Sequence, residues 1–309
     1  MAIDGGKSKP DVVCFGMVTP AMVLVVEEMP SWNTGAIWSQ GQTFISDDAA
    51  IIAILLRKWD VQTGLICTTL GDDDAGRDTV KQLEDWGIQG EFRLSSDITT
   101  PFELNVSDRK RGGRTYFWKR EPKILDTLDE ADLSLIKGSK LLYLDWYDGD
   151  HIMRALKEAR NQGVPVYLNI EHGHEDPYFL ARYAPYISIC QAVTDASQLK
   201  GNAYEVASNL LELGLDTVLV TMADQGCLAA TRLQTIRVHA PIVDTLDGCA
   251  AGATFSAGFQ YGFIKKWDLE HCLRFAVAAA SLQCTVAGPT AFPLADVELL
   301  GASLDVEVS

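Results

Sequence analysis

Apolar positions recur along this chain in two alternating rhythms. DVVCFG (11–16) is a short apolar run closed by glycine, the form of a buried strand. VLVVEEMP (23–30) and AIWSQGQTF (36–44) read as further strands. DAAIIAILLRK (48–58) has helical period and is apolar on most faces, with Asp47 or Asp48 placed to cap it. VQTGLICTTLG (61–71) predicts a strand, and DDAGRDTVKQLEDWGI (73–88) an amphipathic helix ending at Gly87. The stretch 91–121 alternates on either side of RKRGGR and predicts a β-hairpin.

Beyond Pro122 the strand–helix rhythm is regular. Strands are predicted at 141–146, 164–171, 187–193 and 216–226, the last running into a turn. Helices are predicted at 151–163, 203–214, 254–267 and 269–286. Such alternation means a doubly wound, mostly parallel sheet with helices on both faces, an α/β fold. Two β-rich stretches, about 17–45 and 92–121, interrupt it and predict a small β-sheet lid inserted within a single domain spanning 1–309.

Composition narrows the function. The 309 residues are 47% hydrophobic and 22% charged, with a net charge of -16, so phosphate backbones and anionic lipid are repelled. No nucleic-acid or membrane partner is expected. No apolar run reaches the length of a membrane span, and MAIDGGKSKP lacks a signal-peptide core, so a cytoplasmic location is expected. Seven scattered cysteines without a C-x-x-C pair point to reduced thiols.

Four segments in order carry a family resemblance: LGDDDAGRDTVKQLEDWGI (70–88), GGRTYF (112–117), LVTMADQGCLA (219–229) and APIVDTLDGCAAGATFSAGF (240–259). Together they resemble the ribokinase/PfkB carbohydrate kinases over nearly the whole chain. The resemblance implies a doubly wound domain with a β-sheet lid, ATP and Mg²⁺ as cofactors, and phosphoryl transfer to a sugar or nucleoside hydroxyl. It also implies a nucleotide turn at Thr221, Ala223 and Gly226, where Ala223 replaces a glycine. It implies an anion hole at Ala250, Ala251 and Gly252, in which Ala250 replaces a glycine.

The departures from the family pattern fall on the chemistry. Its catalytic base position is Ala253, and alanine accepts no proton. Its sugar-binding positions are Ala21, Ser46, Asp47 and Ile51, where an Asp, two glycines and an Asn are expected. Its Mg²⁺-organising N-x-x-E corresponds to Thr194, Asp195, Ala196 and Ser197, without the glutamate. The resemblance therefore implies a pseudokinase-like member that binds a sugar, a nucleotide or a protein. The alternative is an active kinase whose base is displaced to Asp247 or Asp244, depending on the register of the signature.

Other constellations are open. Glu171-His-Gly-His-Glu-Asp176 follows a strand and is a candidate metal loop for a metal-dependent enzyme. Asp145-Trp-Tyr-Asp148 lines a pocket or is a packed Trp with exposed acids. Arg109, Lys110, Arg111 and Arg114 reach an anionic ligand or are a solvated tip. Cys249, near a helix N-terminus, has a lowered thiol pKa or is a small buried filler. Trp32, Ile37, Trp38, Phe102, Tyr116 and Trp118 give the lid apolar surface that a homodimer would cover.

Overall fold

The computed structural model describes residues 9–194 and 202–309. In chain order the elements are β1 (Val12–Gly16), β2 (Thr19–Val26), β3 (Trp38–Ser46), α1 (Asp48–Lys58), β4 (Thr63–Cys67), β5 (Leu70–Gly71), α2 (Asp74–Asp85) and β6 (Leu94–Ser95). A hairpin follows, β7 (Phe102–Asp108) and β8 (Gly113–Lys119). Next come β9 (Leu141–Asp145), α3 (Ile152–Gln162), β10 (Val166–Glu171), α4 (Pro177–Tyr183), β11 (Ile189–Val193), α5 (Ala203–Glu212), β12 (Thr217–Thr221), β13 (Cys227–Thr231) and β14 (Thr235–Val238). Helices α6 (Ala251–Ile264), α7 (Leu269–Gln283) and α8 (Leu294–Ala302) precede the closing strand β15 (Val306–Val308).

The main sheet runs β15-β14-β13-β12-β11-β10-β9-β1-β4. Its strands from β4 to β12 are parallel, and β13, β14 and β15 extend it antiparallel. Alternation along β1 explains how one sheet serves two cores. Val12 and Cys14 join the core beneath α1, α6 and α7, whereas Val13 and Phe15 join the core beneath α3 and α5. The expected doubly wound fold with helices on both faces is what the chain adopts.

The smaller sheet has the order β3-β2-β7-β8. Its central pair β2/β7 is parallel and its two hairpin pairs are antiparallel. It is tighter than the sequence suggested. Residues 92–101 lie outside it, because Leu94 and Ser95 pair with β5. Strand β2 begins at Thr19 rather than at Val23. Trp32 and Ile37 are 95% and 90% exposed, and Trp38, Phe102, Tyr116 and Trp118 are about half exposed.

Candidate functional site

Strand order places a crevice before any side chain is considered. From β1 the chain crosses through α1 to β4, and from β9 it crosses through α3 to β10 on the other face. The carboxyl ends of β1 and β9 are therefore a topological switch point, where ligands of open α/β sheets bind. Gly16 ends β1 without a side chain. A Cβ built there would lie 2.7 Å from Asp148 Oδ2 and 3.0 Å from Ala49, so α1 and the loop after β9 close directly onto the strand end.

The small sheet roofs this crevice and leaves a cavity of about 330 Å³. Ser46, Asp47, Asp48 and Ile51 line it from the entry to α1. Glu103, Asn105, Arg114, Tyr116, Trp118 and Arg120 line it from the roof, Tyr147 and Glu171 from the strand ends, and Cys249 and Ala250 from the loop before α6. A second cavity of about 600 Å³ lies across that loop. Ala223, Gly226, Ala240, Pro241, Val277, Ala280 and Ala251 are among its walls, which are mostly apolar. Ala250 faces one cavity and Ala251 the other, so one short loop divides them.

That loop ends on a helix N-terminus. Helix α6 starts at Ala251, three residues before the predicted start, so Gly252 and Ala253 lie in its first turn, where N–H groups have no acceptor of their own. A Cβ built at Gly252 would meet nothing within 4 Å, so space beside these donors is open. The donors and the apolar cavity beyond suit a triphosphate and a purine, and ATP fits the residues present. Thr221 closes β12 with its hydroxyl 3.4 Å from Ala192 O and is not among the cavity walls.

Backbone shape outlasts the lost glycines. Seven described non-glycine residues have positive φ, and three of them are Asp47 (73°), Ala223 (49°) and Ala250 (62°). All three stand where the expected motifs carry glycine. The loops keep a conformation that an L-residue adopts at a cost of about 1–2 kcal/mol. Asp47 sits at the N-cap of α1 but makes no side-chain cap, contrary to the sequence reading.

Neither candidate substitute base stands over the anion loop with a free carboxylate. Ala253 is 1% exposed and packs in the core. Asp247 is also 1% exposed, and its oxygens accept from Ser107 Oγ (2.5 Å), Cys249 N (2.8 Å) and Gly288 N (2.9 Å). It is a clamp between lid, loop and body. Asp244 is exposed, with Arg109 Nη2 3.9 Å from its carboxylate; it lines neither cavity itself, although its neighbours Val243 and Thr245 line the larger one.

Acids instead gather in the lid cavity and beneath it. Burial raises Asp47 to about 7, helped by the charge of Glu103. Burial also raises Asp48 to about 7, with Glu171 and Asp47 adding to it. Below them, Asp145 accepts from Tyr143 Oη (2.7 Å) and Asn169 Nδ2 (3.1 Å). Burial, and next the charge of Asp48, hold it well above the usual carboxylate range. Asp148 is raised by burial and then by Asp47. The reading of 145–148 as exposed acids is corrected, since Asp145 and Asp148 are both buried. Of the two readings of Cys249 the buried filler holds, because burial pushes its thiol up to about 12 against the pull of Arg114.

The remaining positions separate. Ala21 lies in β2 opposite Phe44 and Glu103, buried and off the cavity wall. Thr194 is buried and its N–H donates to Thr221 O; Asp195 and Ser197 lie outside the described residues. Among the described residues no three of His, Cys, Asp and Glu are placed to hold a metal ion. This corrects the metal loop at 171–176, and the described residues do not fit a Mg²⁺ site. Of that loop, Glu171 reaches the cavity. Of the hairpin-tip cations, Arg114 does so, donating to Gly248 O (2.8 Å), while Lys110 pairs with Glu28 on the surface.

Comparisons with known proteins agree with this geometry. The model for the pfkB family of carbohydrate kinases matches residues 48–296. Fructosamine kinase FrlD of Bacillus subtilis is 32% identical over 264 residues, covering 83% of this chain and 89% of the relative. A putative ribokinase from Agrobacterium tumefaciens superposes with TM-score 0.82 at 17% identity, covering 96% of this chain and 98% of that one. The ribokinase of Arabidopsis thaliana complexed with ribose and ATP superposes with TM-score 0.73 at 21% identity, covering 95% and 99%. Two cavities divided by a helix-capping loop under a β-sheet lid thus accompany a family match across most of the sequence, and the chain belongs to the pfkB family of carbohydrate kinases.

Proposed function

We propose that this chain is a sugar-kinase homologue that binds a small hydroxylated molecule in the lid cavity and a nucleotide across the loop, without the phosphoryl transfer that joins them in relatives. The observation that carries this is the alanine at 253. Phosphoryl transfer to a hydroxyl needs a proton acceptor at the anion hole, and losing one costs about 10²–10⁴-fold. Asp247 is engaged in holding the fold, and the exposed Asp244 pairs with Arg109 and lines neither cavity. Ala250 adds a methyl where backbone approaches the phosphates, and no metal-ligand group compensates among the described residues.

The anion hole itself supports retained nucleotide binding, and the ribokinase with ribose and ATP supplies the ligand classes. The lid strands at 19–46 and 102–119 belong to the same single domain in this reading, and a second copy of the lid covers its exposed aromatics. Location in the cytoplasm, where ATP is plentiful, belongs to the same proposal.

The test is ATP turnover with a panel of sugars and nucleosides, alongside direct nucleotide binding. Binding without sugar-dependent turnover is expected. Turnover within the usual range of about 1–100 s⁻¹ would overturn the proposal. One observation favours a second reading: Asp48 lines the same cavity as Ala250 and titrates at about 7. If transfer occurs, Asp48 is the carboxylate to accept the hydroxyl proton, and Asp48→Asn abolishes it.

A further inference from the structure

The loop that divides the two cavities is moored to the end of α7 before it enters α6. Leu246 N and Asp247 N both donate to Cys284 O, at 2.8 and 3.1 Å, a carbonyl at a helix end where none has a helical partner of its own. Cys249 N donates to Asp247 Oδ1 (2.8 Å). The first bond of α6 itself runs from Thr254 N to Ala250 O (2.8 Å).

The helix would reach one turn further back if Gly252 N and Ala253 N met the carbonyls four residues before them, Gly248 O and Cys249 O. Side chains take both carbonyls instead. Arg114 Nη1 of β8 donates to Gly248 O (2.8 Å), and Gln283 Nε2 of α7 donates to Cys249 O (3.4 Å). Two closer bonds hold Gln283 in place for this. The same Nε2 donates to Gly288 O (2.8 Å), and Oε1 accepts from Thr290 N (2.8 Å). The side chain is fully buried, and both its N–H groups are spent on carbonyls. With Cys249 O so engaged, Ala250 takes the left-handed conformation, φ 62° and ψ 9°. Nothing in an alanine favours that shape, so its surroundings impose it.

Gln283 lies among the walls of neither cavity, so it reaches a ligand only through the loop. Resting on the reading of the larger cavity as the nucleotide site, we infer that Gln283 is a positioning residue for the anion-binding backbone. It draws Cys249 O out of line with α6 and so keeps the Ala253 N–H free for a phosphate. Arg114 does the same for Gly248 O from the lid, but its own charge also acts on any anion. The neutral amide works by geometry alone. A glycine at 250 would let the loop take this shape unaided; this chain uses an amide from α7 in its place.

Titration calorimetry on the whole chain with ATP and adenosine tests this. ATP is expected to bind about tenfold or more tighter than adenosine, the size of one charge-assisted hydrogen bond. Gln283→Met keeps the volume and removes the donor. It is expected to erase most of that preference while adenosine binds as before. Adding Ala250→Gly is expected to bring the preference back, because glycine takes positive φ without help and disfavours the extra helical turn. A general loosening of the fold would weaken both ligands and gain nothing from a glycine. Gln283→Asn, whose amide falls short of Cys249 O, carries the same expectations should the methionine variant not fold. Equal weakening of ATP and adenosine, an unchanged preference, or no rescue by glycine would overturn the inference and leave the nucleotide site standing. Wild-type protein binding adenosine as tightly as ATP would do the same. Binding of neither would overturn both readings.

Discussion

Replacing Asp48 by asparagine is expected to make the unliganded protein more stable, and more so in alkali than in acid. Asp48 titrates at about 7 against an ordinary value of 3.8, burial being the first cause and Glu171 and Asp47 the next. The folded chain therefore holds this proton more tightly than the unfolded chain does. That preference favours the fold below the unfolded value. It is lost as pH rises from 3.8 through 7, and above that the ionised pair burdens the fold fully. At about 1.4 kcal/mol per tenfold change in affinity, a rise from 3.8 to about 7 is worth about 4 kcal/mol. Asp47 shares the proton uptake, and an acid at the first turn of α1 favours the helix by about 0.3–1 kcal/mol. The net gain for Asp48→Asn is then about 1–3 kcal/mol at pH 8.5, shrinking by more than half at pH 5. Urea unfolding at the two pH values, with the slope unchanged, measures it. An equal gain at both, or a loss at pH 8.5, would refute the assignment of a buried, proton-hungry pair.

Three further outcomes follow from the site. Ala253→Asp alone is expected to give no sugar kinase activity and to destabilise by about 1–3 kcal/mol, since the side chain enters a position 1% exposed; a coupled kinase assay and thermal unfolding check both. Ala223→Gly is expected to stabilise by about 0.5–1 kcal/mol, relieving positive φ at an exposed residue. Ala250→Gly is expected to be near neutral, because it relieves φ but removes a buried methyl worth about 0.8 kcal/mol; urea titrations of the two variants give the contrast. Sedimentation velocity at micromolar concentration is expected to show a dimer, and Trp118→Lys to shift it to monomer; a wild-type monomer would remove the lid interface.

The sequence made the repeating part of the fold legible, because α1, α3, α5 and α7 each have an apolar face of helical period. Strands β13, β14 and β15 escaped, being three to five residues long and too short for their pattern to stand out. The start of α6 was placed late because Ala-Gly-Ala carries no capping side chain. Within the site, Ser46, Asp47, Ile51 and Ala250 were found because each belongs to a contiguous motif. Tyr147 lay in the Asp145–Asp148 run read as lining a pocket or packing; Glu103 and Asn105 were not found, since only the placement of β7 in the roof brings them there. Alternation along β7 puts Glu103 and Asn105 on one face, but nothing local says which face looks down.

Asp247 has a kinetic consequence. Its single carboxylate fastens Ser107 of β7, the loop at Cys249 and the turn at Gly288, and Arg114 of β8 adds a second tie to Gly248. Swinging the roof away from the body must break the buried bond from Ser107 to this carboxylate, worth about 0.5–3 kcal/mol, before any molecule passes. A roof that opened this way would exchange its ligand up to about a hundredfold more slowly than an unlatched one. The latch at Asp247 thus favours slow over fast exchange of whatever the cavity holds.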